Sequence, residues 1–273
     1  MHKITIITPC LNAENRIRET MESVIGQSAI LSGRAELEYI ICDGNSSDNT
    51  IPIIESYEND NIRIYSEPDT GMYDALAKGL KRASGDIIAY LNAGDYYNRY
   101  AFDIVLDLFE QKQARWLTGY TVIYNDKSYV LDIKLPYKYR RNFFASGFYG
   151  TNLNFVQQES TFWDASLNLH IDFARLTKFK LAGDYYLWSC FARECELKIV
   201  EAYLGGFRVE KGQLSENKYA YLNELLSLTK DSSCYDKLLS LFDRVMWHAP
   251  VEFKKWFNKD GLFRYDHELR KWV

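Results

Sequence analysis

The first hundred residues alternate two kinds of pattern. Short β-branched apolar runs alternate with stretches whose apolar residues recur every three to four positions. Lys3 to Thr8, "KITIIT", reads as a central strand. In "NAENRIRETMESVIGQS", Ile17, Met21, Val24 and Ile25 fall at helical spacing, with Asn12 just upstream as an expected cap. "LEYIICD" predicts a second strand. "SSDNTIPIIESYEND" predicts a helix with Ile51, Ile54 and Tyr57 on one face and Pro52 in its first turn. "NIRIYSE" is a third strand. Met72 to Ser84 carries Ala75, Leu76, Gly79, Leu80 and Ala83 as an apolar stripe, and "DIIAYLN" closes the series as a fourth strand.

Strand–helix alternation with short connections predicts an α/β fold: a mostly parallel, doubly wound sheet flanked by helices. Ligands of such sheets bind beyond the carboxyl ends of the strands. Here those ends carry Thr8-Pro9-Cys10-Leu11-Asn12, Asp43-Gly44, Glu67-Pro68-Asp69 and Asn92-Ala93-Gly94-Asp95, all polar or acidic. The second half is less regular. "WLTGYTVIYNDKSYVLDI" reads as a hairpin around Asn125-Asp126, and "RRNFFASGFYG" as a loop or short helix. "KFKLAGDYYLWSCFARE" predicts a helix with Tyr186, Leu187, Cys190 and Phe191 on one face. From about Asn217 the chain becomes helical, so residues 1–216 are expected to form the main domain and 217–273 a helical extension. The last stretch, "PVEFKKWFNKDGLFRYDHELRKWV", mixes Lys and Arg with Trp and Phe. That mixture suits a membrane-surface or oligomerisation element, and a terminal segment packed on its own domain is the plainer reading.

Composition narrows the function classes. A net charge of −4 gives no support for a nucleic-acid partner. The 21 Tyr and 6 Trp suit either a sugar-binding surface or aromatic packing. Five cysteines without metal-ligand spacing, no signal-peptide pattern and no long apolar run lead to the expectation of a reducing, cytoplasmic setting.

GxGxxG and GxxxxGK[ST] are both absent, so neither common phosphate-cradling turn is available. An acidic strand end suits a divalent cation, because hard cations take carboxylate oxygens. Asp95 is the candidate, and a turn or cap residue is the plainer reading of the same position. Asp184 stands where an apolar helix begins. It reads as a helix cap or as a carboxylate presented to a cleft.

Several segments resemble, in order, the inverting family 2 glycosyltransferases of the GT-A fold, across roughly residues 3 to 215. "ITIITPCLNAENRIRETMESVIGQ" is similar to the family's opening strand, Pro-x-x-Asn turn and first helix. "YIICDGNSSDNT" is similar to its Asp-Gly-x-Ser-x-Asp-x-Thr segment. "SEPDTGMYDALAKGLKRASGDIIAYLNAGD" resembles a branch found in bacterial polysaccharide and lipopolysaccharide assembly. "QQESTFWDASL", "LAGDYYLW" and "GGFRVEKGQLS" resemble its acceptor-side segments and closing loop.

The resemblance implies a Rossmann-like GT-A domain. It also implies transfer of a sugar, with inversion, from a nucleoside diphosphate sugar to a hydroxyl of a glycan or lipid-linked acceptor. UDP is the favoured nucleotide, and Mn²⁺ or Mg²⁺ the expected cofactor. It implies that Pro9 and Asn12 shape the nucleotide pocket, that Asp43 accepts a hydrogen bond from the base, and that Asp69 and Gly71 lie near the ribose and diphosphate. Asn92 would lie on the donor side and Asp95 would hold the metal. Asp184 would act as general base, and Gln158 and Trp163 would face a sugar. Gln213 and Ser215 would meet the donor phosphates or cap the next helix. From composition alone, and not from the resemblance, the aromatic-rich "RRNFFASGFYG" suits a loop that closes over the substrates, with its Arg140-Arg141 pair meeting phosphate.

Two departures stand out. Asn92 and Gly94 leave Asp95 as the only carboxylate of the metal motif, and Ala77 stands where this branch often has Asn. The thinned motif keeps open a rival reading, a non-catalytic nucleotide- or carbohydrate-binding component of a polysaccharide assembly complex. Such a module would have no need of a base carboxylate at Asp184.

Overall fold

The computed structural model describes residues 1–111, 114–210, 212–213 and 216–273. In the first half the chain runs β1 (His2–Cys10), α1 (Ile17–Ile25), α2 (Ser28–Leu31), β2 (Ala35–Asp43), α3 (Thr50–Glu55), β3 (Ile62–Ser66), α4 (Met72–Arg82) and β4 (Ile87–Tyr90). Each element expected from the hydrophobic pattern is present. β1, β2 and β3 pair in parallel, and β1 pairs in parallel with β4 on its other side. Strands buried on both faces read as nearly continuous apolar runs, which is why "KITIIT" and "YIIC" are legible at all.

Register decides where the strand ends lie. Cys10 pairs with Asp43 and Asp43 with Ser66, while Ile7 pairs with Tyr90. The carboxyl ends of these strands therefore open on one edge. Helix α4 lies close on β1 and β2 because Gly79 has no side chain; a Cβ there would stand 2.5 Å from Ile7 Cγ2.

Next come β5 (Tyr96–Tyr97), α5 (Ala101–Glu110), β6 (Trp116–Thr118), β7 (Thr121–Tyr124) and β8 (Val130–Lys134). The expected hairpin is formed by β7 and β8, which pair antiparallel, but "WLT" leaves it and joins the main sheet as β6. Helical turns α6 (Arg141–Ala145) and α7 (Phe148–Thr151) precede β9 (Phe162–Asp164), which runs antiparallel between β4 and β6. After α8 (Phe173–Leu176), α9 (Gly183–Phe191), β10 (Lys198–Val200) and β11 (Gly205–Arg208), the chain forms α10 (Lys218–Leu226), α11 (Cys234–Met246) and α12 (Val251–Phe257). Strand β12 (Leu262–Phe263) then pairs with β10. The eight-stranded sheet has the order β12-β10-β6-β9-β4-β1-β2-β3, and a four-stranded sheet has the order β5-β11-β7-β8. The final segment thus returns a strand to the main sheet after its three helices.

The aromatic content goes largely into packing. Trp116, Trp163 and Trp188 are at most 1% exposed and lie edge-on or stacked against one another and Phe191. Asn12 does not cap α1: the cap position is Arg16, and Asn12 adopts a left-handed φ of 49° with its Oδ1 accepting from Ser47 N–H. It ties the loop after β1 to the loop after β2.

Candidate active site

A cavity of about 430 Å³ opens at the carboxyl edge of β1 and β4, within the size range of small-ligand sites. Its walls include Asn92, Asp95, Gln158, Glu159, Lys180, Asp184 and Tyr221. A second cavity of about 400 Å³ lies at the other end of the strands, around Lys3, Glu38 and Arg63. Its one buried carboxylate, Glu38, is satisfied by Thr5 Oγ1 at 2.6 Å and by Ser84 N–H at 2.7 Å. Those bonds make Glu38 a staple between β2, β1 and the turn before β4.

The turn after β4 is set by Gly94, whose φ of 114° suits only glycine. Gly94 N–H donates to Thr20 Oγ1, and Thr20 Oγ1 donates to the Asp95 carbonyl, both at 2.8 Å. Those contacts fix Asp95 on α1. Its carboxylate is 4% exposed, and Oδ1 accepts from Arg208 N–H at 2.8 Å. Burial first, and then the charge of Glu159, hold this carboxyl well above the usual range. Asn92 Nδ2 donates to Gln158 Oε1 at 3.2 Å, while Asn92 Oδ1 is buried with no partner among the described residues. Gln158 Nε2 donates to the Tyr90 carbonyl.

Asp184 sits in the first turn of α9, with Ala182 in the cap position, so it is not the cap. Its Oδ1 accepts from Tyr185 N–H at 2.7 Å and from Tyr221 Oη at 3.1 Å, Oδ2 has a 3.4 Å contact to Tyr221, and the Tyr73 hydroxyl stands beside the carboxylate. Burial pushes this carboxyl up to about 6, against the pull of those donors. Glu159 between them is 5% exposed and is pushed up to about 7 by burial and by the charge of Asp184. The pocket therefore gathers three carboxyls that are all held above the usual carboxylate range, with Arg16 and Lys180 as the basic groups on its wall.

Other expected site residues organise the loops. Pro9 lies inside β1, paired with Cys42. Asp43 is 1% exposed, and its carboxylate accepts from Ser46 N–H at 2.9 Å and Ser66 Oγ at 2.6 Å. Asp69 Oδ1 accepts from Gly71 N–H at 2.8 Å, and Gly71, with φ 135°, takes the cap position of α4. Lys180 Nζ donates to the Thr70 carbonyl, bringing the loop after β3 against the loop before α9.

Some expectations fail. Trp163 is not at the site: it is wholly buried between Tyr90, Trp188 and Phe191, and its Nε1 donates to Asn168. Phe162 and Trp163 point to opposite faces of β9 and both are fully buried, so both faces of the sheet are covered there. Arg140 and Arg141 do not meet phosphate either. Arg140 makes a bidentate pair with the buried Asp243 at 2.7 and 2.9 Å, and Arg141 donates to the carbonyls of Ala192 and Arg193. Gln213 lines the cavity, held by Glu210 N–H at 2.9 Å and the Arg208 carbonyl at 2.6 Å, and the cap of α10 is Asn217. Ser215 lies outside the described residues.

Glu159, Tyr73 and Tyr221 were not expected. Glu159 had a local signal, a charged residue flanked by the Gln158 and Phe162 of a strand entry. Tyr221 had none, since "NKYAYLNELL" reads as an ordinary surface helix.

The donor set fits a hard cation held jointly with a diphosphate. Asp95 keeps Oδ2, and Asn92 offers an unpartnered oxygen. Among the described residues no group of three or more His, Cys, Asp or Glu is placed to hold a metal alone.

Comparison with known proteins shows the family and the fold. Residues 5–164 match the sequence profile of the family described as glycosyl transferase family 2. The chain is similar to the putative teichuronic acid biosynthesis glycosyltransferase TuaG of Bacillus subtilis, at 33% identity over 127 residues, 45% of this chain and 48% of that protein. It is also similar to the UDP-Glc:alpha-D-GlcNAc-diphosphoundecaprenol beta-1,3-glucosyltransferase WfgD of Escherichia coli. There the identity is 25% over 226 residues, covering 80% of this chain and 82% of that protein. The chain thus spans about half the length of TuaG and most of WfgD. The solved structure of S. aureus TarS 1–349 in complex with UDP-GlcNAc superposes with a TM-score of 0.61 at 13% identity, over 93% of this chain and 69% of that one.

Proposed function

This chain belongs to glycosyl transferase family 2 and has the GT-A fold, and on that premise we propose that it moves a sugar from a nucleoside diphosphate sugar to an acceptor hydroxyl with inversion. The observation that carries the reading is Asp184: a carboxyl near pH 6 that keeps Oδ2 almost free inside the cavity that holds Asn92 and Asp95. Asp184 Oδ2 takes the proton of the acceptor hydroxyl as its oxygen attacks the anomeric carbon. The bond from that carbon to the phosphate oxygen breaks, and the nucleoside diphosphate leaves. A divalent cation bound by Asp95 and Asn92 would neutralise charge on the departing diphosphate. Lys180 and Arg16 add positive charge to the same wall.

Pro9, Asn12, Asp43, Asp69 and Gly71 build the nucleotide side. Asp43 must then exchange one of its serine donors for a base N–H, or act only by holding the loop. Gln158 aims Asn92 from the sugar side. UDP is the favoured nucleotide, because the superposed TarS structure is a complex with UDP-GlcNAc. A lipid-linked glycan is the favoured acceptor, because the similar WfgD is named for a diphosphoundecaprenol acceptor.

The C-terminal helices suit a peripheral position at an anionic membrane surface, on the inner face. Leu238, Val245 and Trp256 are 68%, 70% and 64% exposed, and the Phe242 and Phe257 rings, 5.9 Å apart, join α11 and α12 into one apolar surface. Of the acids on these helices, Asp243 is paired with Arg140, Glu252 with Arg264, and Asp236 bonds Ser233 and Asn142, whereas Lys237, Arg244 and Lys259 have no carboxylate partner among the described residues. No helix among the described residues is long and apolar enough to cross a membrane. Co-sedimentation with phosphatidylglycerol vesicles, lost in Leu238→Asp, is the expected result. A concentration-dependent dimer with no vesicle binding would assign the surface to a second copy instead.

The transferase reading is tested by incubating UDP-, GDP- and dTDP-sugars with Mn²⁺ and a lipid-diphosphate saccharide, and following product anomeric configuration by NMR. An inverted product from one nucleotide class supports it. Binding of nucleotide sugars without turnover for any acceptor would favour a non-catalytic component.

A further inference from the structure

Helix α10 makes two contacts at the site from one face, three residues apart. Tyr221 Oη donates to Asp184 Oδ1 at 3.1 Å. Glu224 accepts the backbone N–H groups of Lys180, Leu181 and Ala182, at 3.1, 2.9 and 2.9 Å, in the loop that leads into α9. The Tyr221 ring is held edge-on by Phe155 at 5.0 Å, and Leu225 beside it is fully buried. The helix is therefore fixed to the loop that carries Asp184.

Building on the transferase reading, we infer that Tyr221 is a positioning residue for the Asp184 base and that Glu224 is the latch that sets it there. Asp184 Oδ1 is pinned by Tyr185 N–H and the Tyr221 hydroxyl, and this turns Oδ2 toward the cavity as the oxygen that receives the proton. The nearby Tyr73 also favours the ionised carboxylate, but its hydroxyl donates to the Leu181 carbonyl at 2.8 Å, which leaves Tyr221 as the hydroxyl bonded to Oδ1. A hydrogen bond to the ionised form also favours ionisation, so Tyr221 keeps the base available at a lower pH than burial alone would allow. Tyr221 itself is held well above its ordinary value by burial and then by Asp184, and so stays a donor throughout. The segment after residue 216 is on this reading part of the catalytic centre.

The titratable groups that face Asp184 are Tyr73 on α4, Tyr90 on β4, Glu159 before β9, Tyr185 on its own helix and Tyr221 on α10; Lys180 stands just upstream and Glu224 beside it. Glu159 titrates close by, so the pH dependence of turnover cannot carry the test alone. The decisive measurement follows the Asp184 side-chain carboxyl by ¹³C NMR across pH, assigned with Asp184→Asn, in the wild type and in Tyr221→Phe, which keeps the ring against Phe155. The expected result is an upward shift of about one pH unit, the size of losing one hydrogen bond to a charged group. The acid limb of kcat/KM should move with it. Glu224→Gln should shift the resonance the same way by less. An unmoved resonance in Tyr221→Phe overturns the inference, and so does a rise in kcat/KM for the acceptor, which would mean that the hydroxyl blocks the acceptor's place. If the resonance moves but the wild type turns over no sugar donor, the transferase reading fails while the contact between Tyr221 and Asp184 stands.

Discussion

Asp184→Asn should separate activity from stability in one variant. The side chain keeps its shape and can still accept from Tyr185 N–H and Tyr221, but it can no longer take a proton. A general base is worth about 10²- to 10⁴-fold in rate, or roughly 3–5.5 kcal/mol of barrier at ~1.36 per decade. Turnover should fall by that factor while nucleotide binding stays near normal. Stability should move the other way. The carboxyl is raised from 3.8 to about 6, so folding binds its proton more tightly than the unfolded chain does. Its ionised form therefore destabilises the native state above about pH 6, by ~3 kcal/mol at about 1.36 kcal/mol per pH unit. That penalty fades as pH falls from about 6 to 3.8 and is absent below it. Asn removes it, so thermal unfolding at pH 7.5 should show the variant higher by several degrees, at ~2–4 °C per kcal/mol for a chain near this size. At pH 4 the two proteins should melt together. Turnover within tenfold of wild type would refute the base assignment. A variant that melts lower at pH 7.5 would refute the account of a carboxylate held ionised at a cost.

Three further variants have expected outcomes. Asp95→Asn should abolish the Mn²⁺-dependent part of the stabilisation by UDP, which for a ligand at 100 times its dissociation constant is about 2.7 kcal/mol; an unchanged metal-dependent shift would remove Asp95 from the cation site. Without ligand, the same variant should be more stable at neutral pH, because burial and Glu159 oppose the Asp95 charge. Gly79→Ala should lose stability in urea unfolding, since its Cβ would meet Ile7 at 2.5 Å; overpacking costs about 1–3 kcal/mol against ~1 kcal/mol of helix propensity gained. Arg140→Ala should cost about 3–5 kcal/mol by leaving Asp243 buried and unpaired, with the donor KM unchanged in whatever protein folds; a raised donor KM would return Arg140 to the site.

By itself the sequence determined the first half of the fold. The runs at Lys3–Thr8, Leu37–Asp43 and Ile87–Leu91, and the helical stripe over Met72–Arg82, are local patterns with fixed periods, and parallel strands must be apolar on both faces. Once the order of strands is known, the edge where Asn12, Asp69, Asn92 and Asp95 emerge follows from parallel register. Asp184 was singled out only through the order of motifs around it, since its own neighbourhood reads first as a helix start. The tertiary structure alone decided the rest. Trp163 falls into the core because β9 inserts between two strands, a pairing that three residues cannot announce. Arg140 meets Asp243 across 103 positions, and Tyr221 meets Asp184 across 37. Glu159 is a strained acid only because burial and the charge of Asp184 reach it together. Hydrophobic periodicity encodes which face of an element is buried, but which polar group meets which depends on the packing of whole elements, and packing has no period to read.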